Sequence, residues 1–140
     1  MKTLTLIAAL AAASFGGIAY AGDAASGEKE FGKCKTCHGI VADDGTEIQK
    51  ANKTGPNLYG VIGRQAGTVE GFKYGASLVQ AGEKGLVWDE TNIVEYIADP
   101  QKFLRAYLDD NKAKSNMSFK LAKKGDDVAA YLASVAPATN

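Results

Sequence analysis

The chain has 140 residues, 16 of them basic and 16 acidic, with two cysteines and one histidine. That length suits one domain after a leader, and the even charge argues against bulk nucleic-acid binding. Two thiols and one imidazole fall short of the four Cys/His ligands of a structural zinc site.

Residues 1–21 read as a secretory leader: Lys2, an apolar run over 4–13 too short to span a bilayer, and the small-x-small site Ala19-Tyr20-Ala21. Cleavage is expected after Ala21, leaving one domain over 22–140 in a bacterial periplasm. The leader holds one basic residue and no acid, so the mature chain carries one negative charge. No other stretch is apolar and long enough to anchor it in a membrane.

Asp23 is a suitable N-cap for a first helix running to about residue 33, with Ala24, Gly27, Phe31 and Cys34 along one face. A glycine on that face suits close approach by another helix. Cys34-Lys35-Thr36-Cys37-His38 follows. Thiols three positions apart lie on one side of a helical turn, where each can add to one vinyl group of a porphyrin while the adjacent imidazole reaches the iron. C-x-x-C-H is the attachment signature of c-type haem. A thioredoxin-like pair calls for a βαβ setting that the sequence does not show, and a disulfide over so short a loop is strained and leaves the histidine unexplained.

From 39 to 85 the chain reads mostly as loop, rich in glycine, with one or two helical turns over 76–81. So long a stretch without regular structure is unusual in a compact domain, and a large rigid cofactor wrapped by these loops accounts for it. Asp89 or Thr91 can cap a further helix carrying Ile93, Tyr96 and Ile97, which Pro100 ends. Pro100 can also open the next helix, with a stripe of Phe103, Leu104, Tyr107 and Leu108. A polar, lysine-rich loop over 111–120 surrounds Met117. The last helix begins near Asp126, turns Val128, Tyr131, Leu132 and Val135 inward, and stops at Pro137. No β pattern is expected, so the class is all-α, with four to five helices.

His38 can fill one axial position of a haem iron, and its other ring nitrogen then needs an acceptor. The usual second ligands are histidine and methionine. There is no second histidine, and Met117 is the methionine left after cleavage. Lysine, tyrosine or an open position are the alternatives. A His/Met pair raises the potential and closes the iron, which favours electron transfer over catalysis.

Taken together these residues resemble the class I c-type cytochromes, most nearly the cytochrome c2 proteins of purple photosynthetic bacteria. The resemblance runs from 22 to about 135. It passes through Gly27, Phe31, residues 34–38, Thr54-Gly55-Pro56-Asn57-Leu58-Tyr59-Gly60, Gly63-Arg64, Phe72-Lys73-Tyr74, Trp88, Glu95-Tyr96, Asp99-Pro100, Met117-Ser118-Phe119 and Ala130-Tyr131-Leu132. It implies a class I cytochrome c fold around one haem c, bound through Cys34 and Cys37 and ligated by His38 and Met117. It further implies that the Pro56 carbonyl accepts the His38 N–H. Arg64, Tyr74 and Trp88 would lie near a propionate, Tyr96 near the Met117 sulfur, and Gly27 and Phe31 against Tyr131 and Leu132.

The implied function is a monomeric periplasmic one-electron carrier and not an enzyme. Its partners would be a cytochrome bc1 complex and a photosynthetic reaction centre or terminal oxidase. Lys33, Lys35, Lys120, Lys123 and Lys124 are the candidate docking contacts, ahead of Lys112 and Lys114. The competing expectation is a haem enzyme or gas-binding sensor with a displaceable sixth ligand.

Overall fold

The computed structural model describes residues 22–50, 52–135 and 137. The expected leader lies outside them. Five α-helices follow in order: α1 (Ala24–Glu30), α2 (Ala76–Glu83), α3 (Glu90–Ala98), α4 (Pro100–Leu108) and α5 (Gly125–Ser134). A 3₁₀ turn over Phe31–Lys33 extends α1.

The caps are local and follow from sequence. The Asp23 carboxylate accepts from the N–H groups of Ala25 (2.9 Å) and Ser26 (3.2 Å). Asp89 and Asn92 exchange side-chain and backbone bonds in a capping box at the start of α3. Asp99 ends α3 and caps α4 through the Lys102 N–H at 3.0 Å, with Pro100 in the first helical position, where its missing N–H costs nothing.

Crossing of α1 and α5 sets the frame. Gly27 is buried at the crossing, and a Cβ there would overlap the Asp127 carbonyl. Asp127 then clamps the joint with its side chain, accepting from Ser26 Oγ at 2.6 Å and the Asp23 N–H at 2.8 Å. Those bonds hold its carboxyl below the ordinary aspartate value. Above the crossing Phe31 meets Tyr131 with ring centroids 5.7 Å apart. Phe31, Ile40, Leu104 and Val128 are fully buried, and α3 closes on α5 beside Gly125.

Two expectations need correction. A short antiparallel hairpin, β1 (Ile40–Val41) and β2 (Glu47–Gln49), lies where no strand was expected. It is too short to show alternation. The outer edge of β1 bonds to a side chain: Asn57 accepts from the Val41 N–H at 3.0 Å and donates to the Val41 carbonyl at 2.7 Å. Gly45, at φ +86°, turns the hairpin, and the buried Gln49 amide donates to the Tyr131 hydroxyl at 2.8 Å. The α4 stripe also divides. Leu104 and Leu108 are buried and Phe103 is half-buried, but Tyr107 is exposed and stacks on Phe103 with centroids 5.9 Å apart. The stripe is wider than the core beneath it.

Gly27→Ala forces a methyl group into the Asp127 backbone. A loss of about 3 kcal/mol or more is expected, seen as a lower thermal midpoint by circular dichroism. An unchanged midpoint would mean that the crossing relaxes freely.

Candidate functional site

The 3₁₀ turn delivers the Cys/His run. Cys34 and Lys35 bond back to the Phe31 carbonyl, and Cys37 and His38 to the Cys34 carbonyl, at 2.8 to 3.2 Å. Residues 34–38 therefore wind as one helical turn. Both cysteines are free thiols and half-buried. Burial, with Cys37 and Glu30 nearby, pushes the Cys34 thiol up to about 11, so it is a neutral thiol at physiological pH.

His38 is held from below by residues 52–57. Its Nδ1 lies 2.9 Å from the Pro56 carbonyl. A carbonyl can only accept, so Nδ1 carries the proton and Nε2 is left with a lone pair. Burial lowers the imidazole pKa, and the Pro56 bond partly offsets that, so the neutral ring is the stable form. Gly55 makes room for it: a Cβ there would stand 2.5 Å from the ring Cε1. The Gly55 N–H bonds to the Cys37 carbonyl at 2.6 Å, and Asn52 Nδ2 reaches the Thr36 carbonyl at 2.6 Å. Loop and turn are thus stitched together by two bonds next to the imidazole.

Met117 lies half-buried against the core, on the loop between α4 and α5. The Ser115 hydroxyl bonds both the Met117 N–H (3.1 Å) and the Met117 carbonyl (2.9 Å). Tyr96 joins this loop through Ser115. Burial raises the Tyr96 phenol pKa, and hydrogen bonding with Ser115 draws it partly back. Tyr96 also packs against Trp88 and Phe103, with centroids 4.9 and 5.7 Å away.

Arg64, Tyr74 and Trp88 form a second group. Arg64 donates to the Tyr59 and Asn57 carbonyls, both at 3.0 Å. The Trp88 N–H bonds the Arg64 carbonyl at 2.9 Å. The Tyr74 hydroxyl accepts from the Val69 N–H at 3.3 Å; burial raises its pKa, and that bond and the nearby Arg64 cation draw it partly back. Burial lowers the Arg64 pKa. Among the described residues no carboxylate pairs with this half-buried cation.

The candidate docking lysines differ in their freedom. Glu30 holds Lys33 at 2.6 Å and Lys124 at 3.3 Å, and Asp99 holds Lys120 at 2.7 Å. Lys35 and Lys123 are exposed and make no ion pair among the described residues.

Two open clefts flank these groups. One of about 680 Å³ has Asp99, Arg105, Ser115, Met117 and Lys120 on its wall. A smaller one of about 310 Å³ runs past Asn52, Gly55, Asn57 and Phe72. Neither wall carries the thiols or His38, so donor chemistry and not cleft size marks the site. The described residues hold no cluster of three or more His, Cys, Asp or Glu suited to a bare metal ion. Gly55 and Asn57 stand in the resemblance without a role as supports, and Ser115 is not singled out. A serine two residues before a methionine in a loop is a signal for a side-chain-to-backbone turn and could have found the last.

No model of a known protein family matches the chain. Individual relatives do. Cytochrome c2 of Rhodobacter capsulatus is 60% identical over 135 residues, covering 96% of this chain and 98% of that protein. Cytochrome c-551 of Roseobacter denitrificans is 66% identical over 114 residues, 81% of each. Among solved structures, cytochrome c2 from Rhodobacter capsulatus superposes with a TM-score of 0.80 at 65% identity, covering 81% of this chain and 98% of that one. Ferric cytochrome c-550 from Paracoccus versutus gives 0.81 at 52% identity, covering 83% and 99%.

Gly55→Ala should turn the His38 ring away from the Pro56 carbonyl. The slowly exchanging Nδ1 proton expected in the parent's NMR spectrum should then be lost. Its persistence would show that the loop yields instead of the ring.

Proposed function

Because the chain belongs to the class I c-type cytochromes, of the cytochrome c2 kind, we propose that it shuttles single electrons in the periplasm through a haem ligated by His38 and Met117. Proteins of this family are electron carriers with one covalently attached haem c, not enzymes. The observation that carries the finer reading is the His38 ring. It directly follows two free thiols at haem-attachment spacing, is anchored at Nδ1 by Pro56, and keeps Nε2 for a ligand.

The donor set fits the group. Cys34 and Cys37 are the two nucleophiles for thioether bonds, on the turn that also presents His38. Met117 supplies a soft thioether on a loop whose backbone Ser115 holds. Arg64, a partly desolvated cation with no carboxylate partner among the described residues, suits an anionic propionate, with Tyr74 near it and the Trp88 backbone bonded to its carbonyl. The haem supplies a reversible one-electron couple. The protein's part would be to raise its potential through the Met117 thioether and to exclude water with the Trp88–Tyr96–Phe103 wall.

The cellular setting follows the same reading. Residues 1–21 act as a cleaved leader into the periplasm, and no helix among the described residues is long and apolar enough to cross a membrane. The donor is a cytochrome bc1 complex and the acceptor a photosynthetic reaction centre or terminal oxidase. The molecule meets them as a monomer. Lys33, Lys35, Lys120, Lys123 and Lys124 steer encounter with acidic patches, which sets rate more than affinity.

Two measurements test this. Met117→Ala should abolish the methionine–iron charge-transfer band, lower the potential and admit carbon monoxide to the reduced protein. An unchanged potential would assign the iron another ligand. Lys35→Glu should slow oxidation by an isolated reaction centre or oxidase several-fold at low salt, and the gap should close as salt screens it within roughly 10 Å. Equal rates at low salt would remove Lys35 from the docking face.

A further inference from the structure

We propose that Ser77 and Gly75, at the start of α2, are positioning residues that latch the Met117 loop and set how readily Met117 yields to another ligand. This rests on the His38/Met117 reading above. Neither residue follows from that reading, since α2 supplies no ligand and neither residue was singled out by the sequence.

Three observations converge. The Lys114 N–H donates to Ser77 Oγ at 3.0 Å, a bond between residues 37 apart in sequence. The Asn116 amide, next to Met117, lies flat over Gly75. A Cβ at Gly75 would stand 3.0 Å from its Cγ and Oδ1 and 3.1 Å from its Nδ2. Gly75 has φ −69° and ψ 143°, which any residue adopts, so what the site uses is the missing side chain and not backbone freedom. The far end of α2 is fixed as well. Gln65 Nε2 donates to the Gly82 carbonyl at 2.9 Å, and a Cβ at Gly82 would overlap the Ala66 carbonyl.

α2 is therefore a strut. One end bears on the segment next to Arg64, the other on the loop that carries Met117. The loop's flanks have their own ties, Arg105 Nε to the Ala113 carbonyl at 3.3 Å and the Leu121 N–H to the Ile97 carbonyl at 2.8 Å. Between them, Ser115 fixes Met117 to its own turn and links that turn to Tyr96 on α3. The contacts from Ser77 and Gly75 add the tie to α2, on the N-terminal side of Met117, beside the Tyr96 link and the Lys120–Asp99 pair. Losing them leaves Met117 attached but frees the loop to swing away when a competitor takes its place.

The test uses the ferric holoprotein, titrated with imidazole while the methionine–iron charge-transfer band is followed. Ser77→Ala should lower the imidazole concentration at half-loss roughly threefold, the effect of losing one partly exposed hydrogen bond. Ser77→Thr should restore the parent value. Gly75→Ala should also lower it, and should have no further effect in an Asn116→Ala background, because the contact it disturbs is then gone. Asp127→Asn serves as a control. It loosens the α1–α5 crossing and should lower the thermal midpoint without moving the imidazole midpoint. The latch is overturned if Ser77→Ala and Gly75→Ala both titrate like the parent, or if Asp127→Asn shifts the midpoint as far as they do. A parent protein without the band, or a Met117→Ala variant that keeps it, would refute the ligand reading itself and the latch with it.

Discussion

A buried neutral imidazole presents one ring nitrogen as a base, and the partner of the other nitrogen settles which. In this chain the Pro56 carbonyl, 2.9 Å from Nδ1, decides it. An aromatic N–H left unpaired in that setting would be costly, and an imidazole free to rotate would lose its aim. Everything around residues 52–57 serves to place that one oxygen. Gly55 lets the backbone pass close to the ring, Asn52 ties the loop to the turn above, and Asn57 fastens it to the hairpin. The region has almost no regular structure, yet its polar side chains act as struts between backbone segments. Irregular chain can be rigid when its donors and acceptors find partners this way.

Two frames meet at the site. The first is the α1–α5 crossing, pinned at Gly27 and Asp127, from which the Cys/His turn grows. The second is the α2–α4 side, which carries Met117 on a loop. On that second side Tyr96 joins helix and loop, packing with Trp88 and Phe103 while bonding to Ser115. Aromatic side chains suit that junction because they combine a large apolar face with one polar group that needs a single partner.

What the sequence disclosed follows the range of each interaction. Asp23, Asp89 and Asp99 cap helices through neighbours two or three residues on, so their roles could be read from spacing. The run from Cys34 to His38 is equally local, and Met117 stood out because the composition left no other methionine in the mature chain. The hairpin could not be read, because the outer edge of β1 is completed by Asn57, sixteen positions away. Periodicity placed Tyr107 on the right side of α4 but not how far the core reaches beneath it. Gly75 looks like any loop glycine, and Gly55 has no stated role in its run, until the Asn116 amide and the His38 ring are seen lying against them.

For the lysine docking proposed above, the carboxylates of Glu30 and Asp99 carry a further consequence. They already occupy Lys33, Lys124 and Lys120. An acidic partner that engages those lysines exchanges one carboxylate for another, so its gain is a difference between two similar contacts. When it leaves, the internal acids reclaim the lysines at once, and no bare charge is stranded. In such docking Glu30 and Asp99 would act as resident competitors, which suits a surface that has to let go as readily as it takes hold.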